Sequence, residues 1–199
     1  MRPKTLLEMA GATTAPPDIA NCTVVVIDAQ REYVDGALPL PGVKGALAEI
    51  AKLLDRARHL GAPVIHVKHR GKAGGAFDPD ATRGHIADEV SPADGEAIVE
   101  KTLPNSFAGT DLKARLDALG RKDLVLAGFM THMCVEATAR SALDHGFKVA
   151  VLASGTATRD LPDALSEGTI PAAEVQRNAL TALSDRFATI VRDTEAFKT

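Results

Sequence analysis

Three residues with groups able to make or move a bond stand just where a buried strand ends. Cys134 lies in the run LVLAGFMTHMCVEATARSALDH, whose first half, 124–129, is apolar and reads as a strand buried on both faces of a parallel sheet. From Cys134 onward, Val135, Ala139, Ala142 and Leu143 recur at helical spacing while Glu136, Arg140 and Asp144 face away. A thiol at the start of a helix meets backbone N–H groups and the positive end of the macrodipole. Both lower its pKa and can hold a developing oxyanion, so Cys134 reads as a nucleophile. Asp28 ends the apolar run TVVVI in the segment DAQREY. Ligands of open α/β sheets bind beyond the carboxyl ends of the strands, which puts this carboxylate in the reactive layer, although a turn or cap role fits it too. Lys101 comes directly after the short strand 97–100 and precedes a Pro-interrupted loop containing Phe107, in the same layer.

Other polar clusters are less specific. His66, His69 and His85 invite a metal, but His66 and His69 are three apart on a strand and so point to opposite faces. No Asp or Glu stands between them, and no metal site is predicted. Gly71, Gly74 and Gly75 in RGKAGGAFDPD lack the spacing and the terminal Lys of a phosphate loop, and the stretch reads as a lid. Arg70 could hold a substrate carboxylate in its bidentate fork or form a surface ion pair.

The elements that must position these groups alternate strand and helix. A strand over 23–27 leads through a Gly/Pro loop to a helix over 43–60, with Leu47, Ile50, Leu53, Leu54 and Ala57 on one face and Gly61 at its end. A strand at 63–67 closes a right-handed β-α-β unit. Then come the strand at 97–100, a helix over 112–119 capped by Thr110 or Asp111, the central strand and Cys134 helix, a strand at 148–152, a loop over 153–162, a helix over 172–186 and a strand at 188–191. The pattern predicts an α/β fold, a three-layer α/β/α sandwich, as one domain over 23–199 behind an extended N-terminal arm, 1–22.

Composition narrows the partners. The 199 residues are 45% hydrophobic and 25% charged, enough for a full core, and the net charge of -3 gives no support to nucleic-acid binding. No apolar stretch approaches a membrane span and the N-terminus lacks a signal-peptide core, so a cytoplasmic protein acting on a small molecule is expected. The two cysteines give no disulfide framework, and Cys22, opening a strand, reads as structural.

Asp28 in VVVIDAQREY, Lys101 in VEKTLPNSFAGTDL and Cys134 in LAGFMTHMCVEATARSALDHGF together resemble the isochorismatase-like cysteine hydrolases, which include nicotinamidases and N-carbamoylsarcosine amidases; the likeness runs from about residue 23 to 191. The resemblance implies a six-stranded parallel sheet in the order 3-2-1-4-5-6 and an Asp28–Lys101–Cys134 triad. It also implies a cis peptide between Phe129 and Met130, an oxyanion hole of the Met130 and Cys134 N–H groups, no cofactor, and a homo-oligomer. In that order Lys101 must reach Asp28 from two strand spacings away, roughly 10 Å. The activity implied is cleavage of a C–N bond in a small amide or carbamoyl compound through an acyl-enzyme. Gln30, Tyr33, Arg70, Phe107, Thr131 and His132 are candidates for the substrate wall, with His132 alternatively a structural donor. The segment between Gln30 and Val43 has no histidine, which disfavours the metal cluster of nicotinamidases and nicotinamide with it. Where many relatives carry an acidic residue after the fifth strand, this chain has Ser154. A vinyl-ether hydrolase in which Cys134 is incidental and a non-hydrolytic thiol redox or binding protein are the alternatives.

Overall fold

The computed structural model describes residues 2–198. Its centre is β1 (Cys22–Ile27), six residues all buried, as a strand covered on both faces must be. β2 (Val64–His69) and β3 (Ala97–Lys101) lie to one side. β4 (Asp123–Phe129) and β5 (Lys148–Ala157) lie to the other. A separate antiparallel hairpin, β6 (Leu161–Pro162) with β7 (Thr169–Ile170), precedes the edge strand β8 (Thr189–Val191). The main sheet is parallel throughout, in the order β3-β2-β1-β4-β5-β8. With the hairpin strands set aside, this is the 3-2-1-4-5-6 order expected.

Alternate β1 side chains face opposite layers. Val24 and Val26 pack with Leu47, Ile50 and Leu54 of α2 (Val43–His59) on one face. Val25 and Ile27 pack on the other face with Leu116 of α3 (Leu112–Leu119), Ala139 of α4 (Glu136–Asp144) and Leu183 of α5 (Ala172–Arg186). Period-2 alternation in the strand thus builds both cores of the sandwich. Among the described residues, no helix is long and apolar enough to cross a membrane.

Three expectations are corrected. The N-terminal segment is not wholly extended: α1 (Leu6–Met9) is closed by a capping box between Thr5 and Glu8. The Leu6 N–H donates to Asp185 Oδ1 of α5 at 2.9 Å, so the segment folds back on its own chain. β5 continues five residues past Leu152 because the β4–β5 register shifts between Leu126 and Gly128, a bulge that carries the strand on to pair Ala157 with Phe129. The stretch expected to be a loop therefore supplies backbone beside the Cys134 turn. The β6–β7 hairpin is too short for a periodic signal, two residues a side.

Candidate active site

The parallel sheet brings the carboxyl ends of β1, β3 and β4 to one edge, and the three reactive side chains meet there. Asp28 comes directly after β1, wholly buried, with φ 50° in the left-handed region. Lys101 is the last residue of β3, and its stem passes over the end of β2. Its Nζ lies 2.6 Å from Asp28 Oδ2 and 3.3 Å from Cys134 Sγ. The gap of two strand spacings is thus closed by one side chain. Cys134 sits in a wide π turn, Thr131–Val135, that leads into α4, so the helix proper begins two residues later than its periodicity suggests. Gly128, at φ 119°, lets β4 come this close to β1, since a Cβ there would stand 1.9 Å from the Ile27 carbonyl oxygen. The Phe129–Met130 peptide is cis.

The electrostatics are those of a buried ion pair beside a neutral thiol. Burial pushes the Asp28 carboxyl up, and the Lys101 charge pulls against it. Lys101 Nζ pairs with Asp28 Oδ2 at 2.6 Å, and the carboxylate keeps further lone pairs that can take a proton. The Cys134 thiol is pushed up to about 12 by burial first and by the Asp28 charge second, with Lys101 opposing. The lowered thiol pKa expected from a helix N-terminus is therefore corrected, because desolvation in the site outweighs the macrodipole. A resting thiol of this kind needs a base to become a nucleophile, and Asp28 is the adjacent one.

The other candidates lie around this cluster or turn away from it. Tyr33 is buried next to the cluster, its ring edge-on to Phe129 at 5.8 Å and to Phe77 at 5.1 Å. Burial, then the Asp28 and Cys134 charges, push its phenol up. Thr131 Oγ1 donates to the Ala157 carbonyl at 3.1 Å and contacts Gln176 Oε1 at 2.5 Å, anchoring the turn that carries Cys134. His132 Nδ1 lies 2.5 Å from Thr158 Oγ1, a structural contact between the same turn and the end of β5. Phe107 packs on the rings of His145 and Phe147, in the α3–α4 layer behind Cys134.

Gln30 is wholly buried with its amide committed. Nε2 donates to the carbonyls of His69 and Gly84, and Oε1 accepts from the His69 N–H. Arg70 does not turn to the cluster: it is exposed and pairs with Glu100 at 3.2 Å, the surface ion pair that its sequence left open.

Sequence reasoning missed Phe77, whose backbone N–H is held by the buried carboxylate of Glu32 at 3.0 Å and whose ring covers Tyr33 and His69. A lone aromatic within a Gly-rich loop is its only sequence signal. It also missed Gln176, which joins Thr131 to Thr156. Ser154 donates to Glu49 Oε2 at 3.1 Å, so a carboxylate does reach this position, from α2. Among the histidines, His66 is buried against Glu96 at 2.9 Å, a carboxylate that Arg58 grips through two nitrogens. His69 reaches Lys101, and His85 is exposed. Among the described residues, no three His, Cys, Asp or Glu side chains converge as a metal site would require.

A sequence model of the isochorismatase domain matches residues 22–195. The secreted isochorismatase effector Isc1 of Verticillium dahliae is 35% identical, covering 92% of this chain and 94% of that one. A streptothricin hydrolase of Streptomyces noursei is 37% identical, covering 85% of this chain and 62% of that one. The crystal structure of an isochorismatase from Pseudomonas putida KT2440 superposes with a TM-score of 0.94 at 38% identity, over 99% of this chain and all 100% of the other. A matched domain of this extent, on a sheet of the same order, makes the chain a member of the isochorismatase family of hydrolases.

Proposed function

We propose that this hydrolase cleaves the C–N bond of a small amide or carbamoyl compound through an acyl-enzyme on Cys134. The observation that carries the reading is the position of one buried ammonium, 2.6 Å from a carboxylate and 3.3 Å from a thiol. With the thiol held up at about 12, attack requires proton transfer, and the adjacent Asp28 carboxylate accepts that proton. Lys101 compensates the charge as it moves from Asp28 to Cys134. The thiolate adds to the substrate carbonyl carbon, and the oxyanion is received by the backbone N–H groups of Met130 and Cys134. Asp28 returns the proton to the leaving nitrogen, the C–N bond breaks and the amine or ammonia departs. Asp28 then takes a proton from water, the hydroxide adds to the thioester carbonyl, and collapse frees the acid and regenerates the thiol. Base, charge stabiliser and nucleophile are all side chains, so the cycle calls for no cofactor.

Relatives named for C–N chemistry, a ureidoacrylate amidohydrolase and a maleamate amidohydrolase, support the reaction class. Ammonia release from a panel of small amides, carbamoyl compounds and ureides tests it, with Cys134→Ala compared at matched circular dichroism. Release that disappears in the variant supports the reading, and equal release by both removes Cys134 from the chemistry. The likeness to Isc1, named for isochorismatase activity, favours a second reading as a vinyl-ether hydrolase. On that reading isochorismate is cleaved and Cys134→Ala retains the activity.

A further inference from the structure

Lys101 has the most demanding placement in the site. Its ammonium ends a four-carbon stem with free rotations and must stay between Asp28 and Cys134 while charge passes from one to the other. The ammonium has three N–H bonds and no acceptor. Asp28 and Cys134 take two directions, and the third meets His69 Nδ1 at 3.4 Å. That distance is long for a hydrogen bond, but only a ring nitrogen carrying its lone pair can face an ammonium there. The contact therefore requires the neutral tautomer, with its proton on Nε2.

His69 is itself held from several sides. Gln30 grips its backbone, accepting from the N–H at 2.8 Å and donating to the carbonyl at 3.0 Å. Phe77 packs edge-on against the ring, centroids 5.1 Å apart, and Phe77 is tied by its N–H to Glu32. Burial and the Lys101 charge both push the ring's pKa down, which keeps it neutral near pH 7.

We propose that His69 is a positioning residue whose neutral ring, clamped by Gln30 and Phe77, directs the Lys101 ammonium onto Asp28 and Cys134. Its effect on turnover rests on the amidohydrolase reading; its effect on the thiol does not. Gln30 and Phe77 then act on the chemistry through His69.

The test compares wild type, His69→Phe and His69→Asn by steady-state kinetics, and by the pH dependence of Cys134 alkylation with iodoacetamide, monitored at the Cys134 peptide by mass spectrometry so that Cys22 does not contribute. Asn presents an amide oxygen near the place of Nδ1, whereas Phe fills the space without an acceptor. In His69→Phe, kcat falls about tenfold with KM within about twofold, the signature of a group that acts on the reacting state. Cys134 alkylation at each pH between about 7 and 9 also slows about tenfold, a profile displaced by about one pH unit, as the thiolate loses its placed cation. His69→Asn recovers kcat and the profile to within about threefold of wild type. An alkylation profile unchanged in His69→Phe overturns the proposal, even if kcat or thermal stability falls, because packing alone would give that pattern. Should the wild type hydrolyse no amide, the alkylation profiles still decide on His69, and the failure falls on the amidohydrolase reading. His69→Ala takes the place of His69→Phe if the latter does not fold.

Discussion

At the scale of single residues, the site is governed by what burial does to charge. Asp28 is pushed above the ordinary carboxylate value of about 4, so kcat/KM should rise with pH through a limb above that value. Because burial pushes the Cys134 thiol up to about 12, no second limb from its ionisation should appear between about pH 7 and 9. A pH–rate profile on any turned-over substrate checks both. Lys101→Met removes the cation that pulls the Asp28 pKa down, so in the folded variant that pKa rises further. A group raised in the folded state contributes its stability below its unfolded pKa and loses it as pH rises through the folded value. The variant should therefore fall further behind wild type as pH goes from about 5 to 8, approaching about 3 kcal/mol, which urea denaturation at the two pH values measures.

Legibility at this scale tracked the sheet. Asp28, Lys101 and Cys134 each stand at or beyond the carboxyl end of a strand, a position that hydrophobic runs mark plainly, and the structure brings all three together. Gln30 and Arg70 stand near the same ends, but the amide of one is spent on the backbone and the guanidinium of the other on Glu100. No spacing rule distinguishes a side chain that turns inward from one whose bonds are already made. The sign of the Cys134 shift was illegible for a related reason: burial depth is a tertiary quantity, while helix position is a local one.

At the scale of elements, the close approach of β1 to β4 sets the geometry. Gly128→Ala would place a methyl group against the Ile27 carbonyl at a backbone conformation that alanine resists. We expect a loss of at least about 2 kcal/mol, together with slower alkylation of Cys134 in whatever fraction folds, read by denaturation and peptide mapping. Regular elements were legible to within a residue or two where an apolar face repeats, as in α3 and α5. The β5 extension was not, because it depends on a register shift against β4 that a single strand's sequence does not encode. The capping box of α1 was present in the sequence, in Thr5 and Glu8, without the apolar run that usually gives it meaning.

At the scale of the whole molecule, the two ends of the sheet have separate tasks. The carboxyl end carries the Asp28–Lys101–Cys134 cluster. At the amino end, the N-terminal segment covers a cavity of about 630 Å³ lined by Leu7, Pro16, Pro17, Leu124, Phe147 and Phe187. Deleting residues 2–17 should lower the thermal midpoint by several degrees, roughly 4 °C for each kcal/mol lost, and leave the pH profile of Cys134 alkylation in place. A changed profile would mean that the two ends are coupled.

Intact-protein mass spectrometry after acid quenching during turnover reads whether Cys134 carries the acyl group. Wild type should gain the mass of the substrate's acyl or carbamoyl part, mapped to the Cys134 peptide and absent from Cys134→Ala, which should also lose turnover. Turnover that continues undiminished in Cys134→Ala, with no adduct on the wild-type protein, would rule out Cys134 as the acyl carrier.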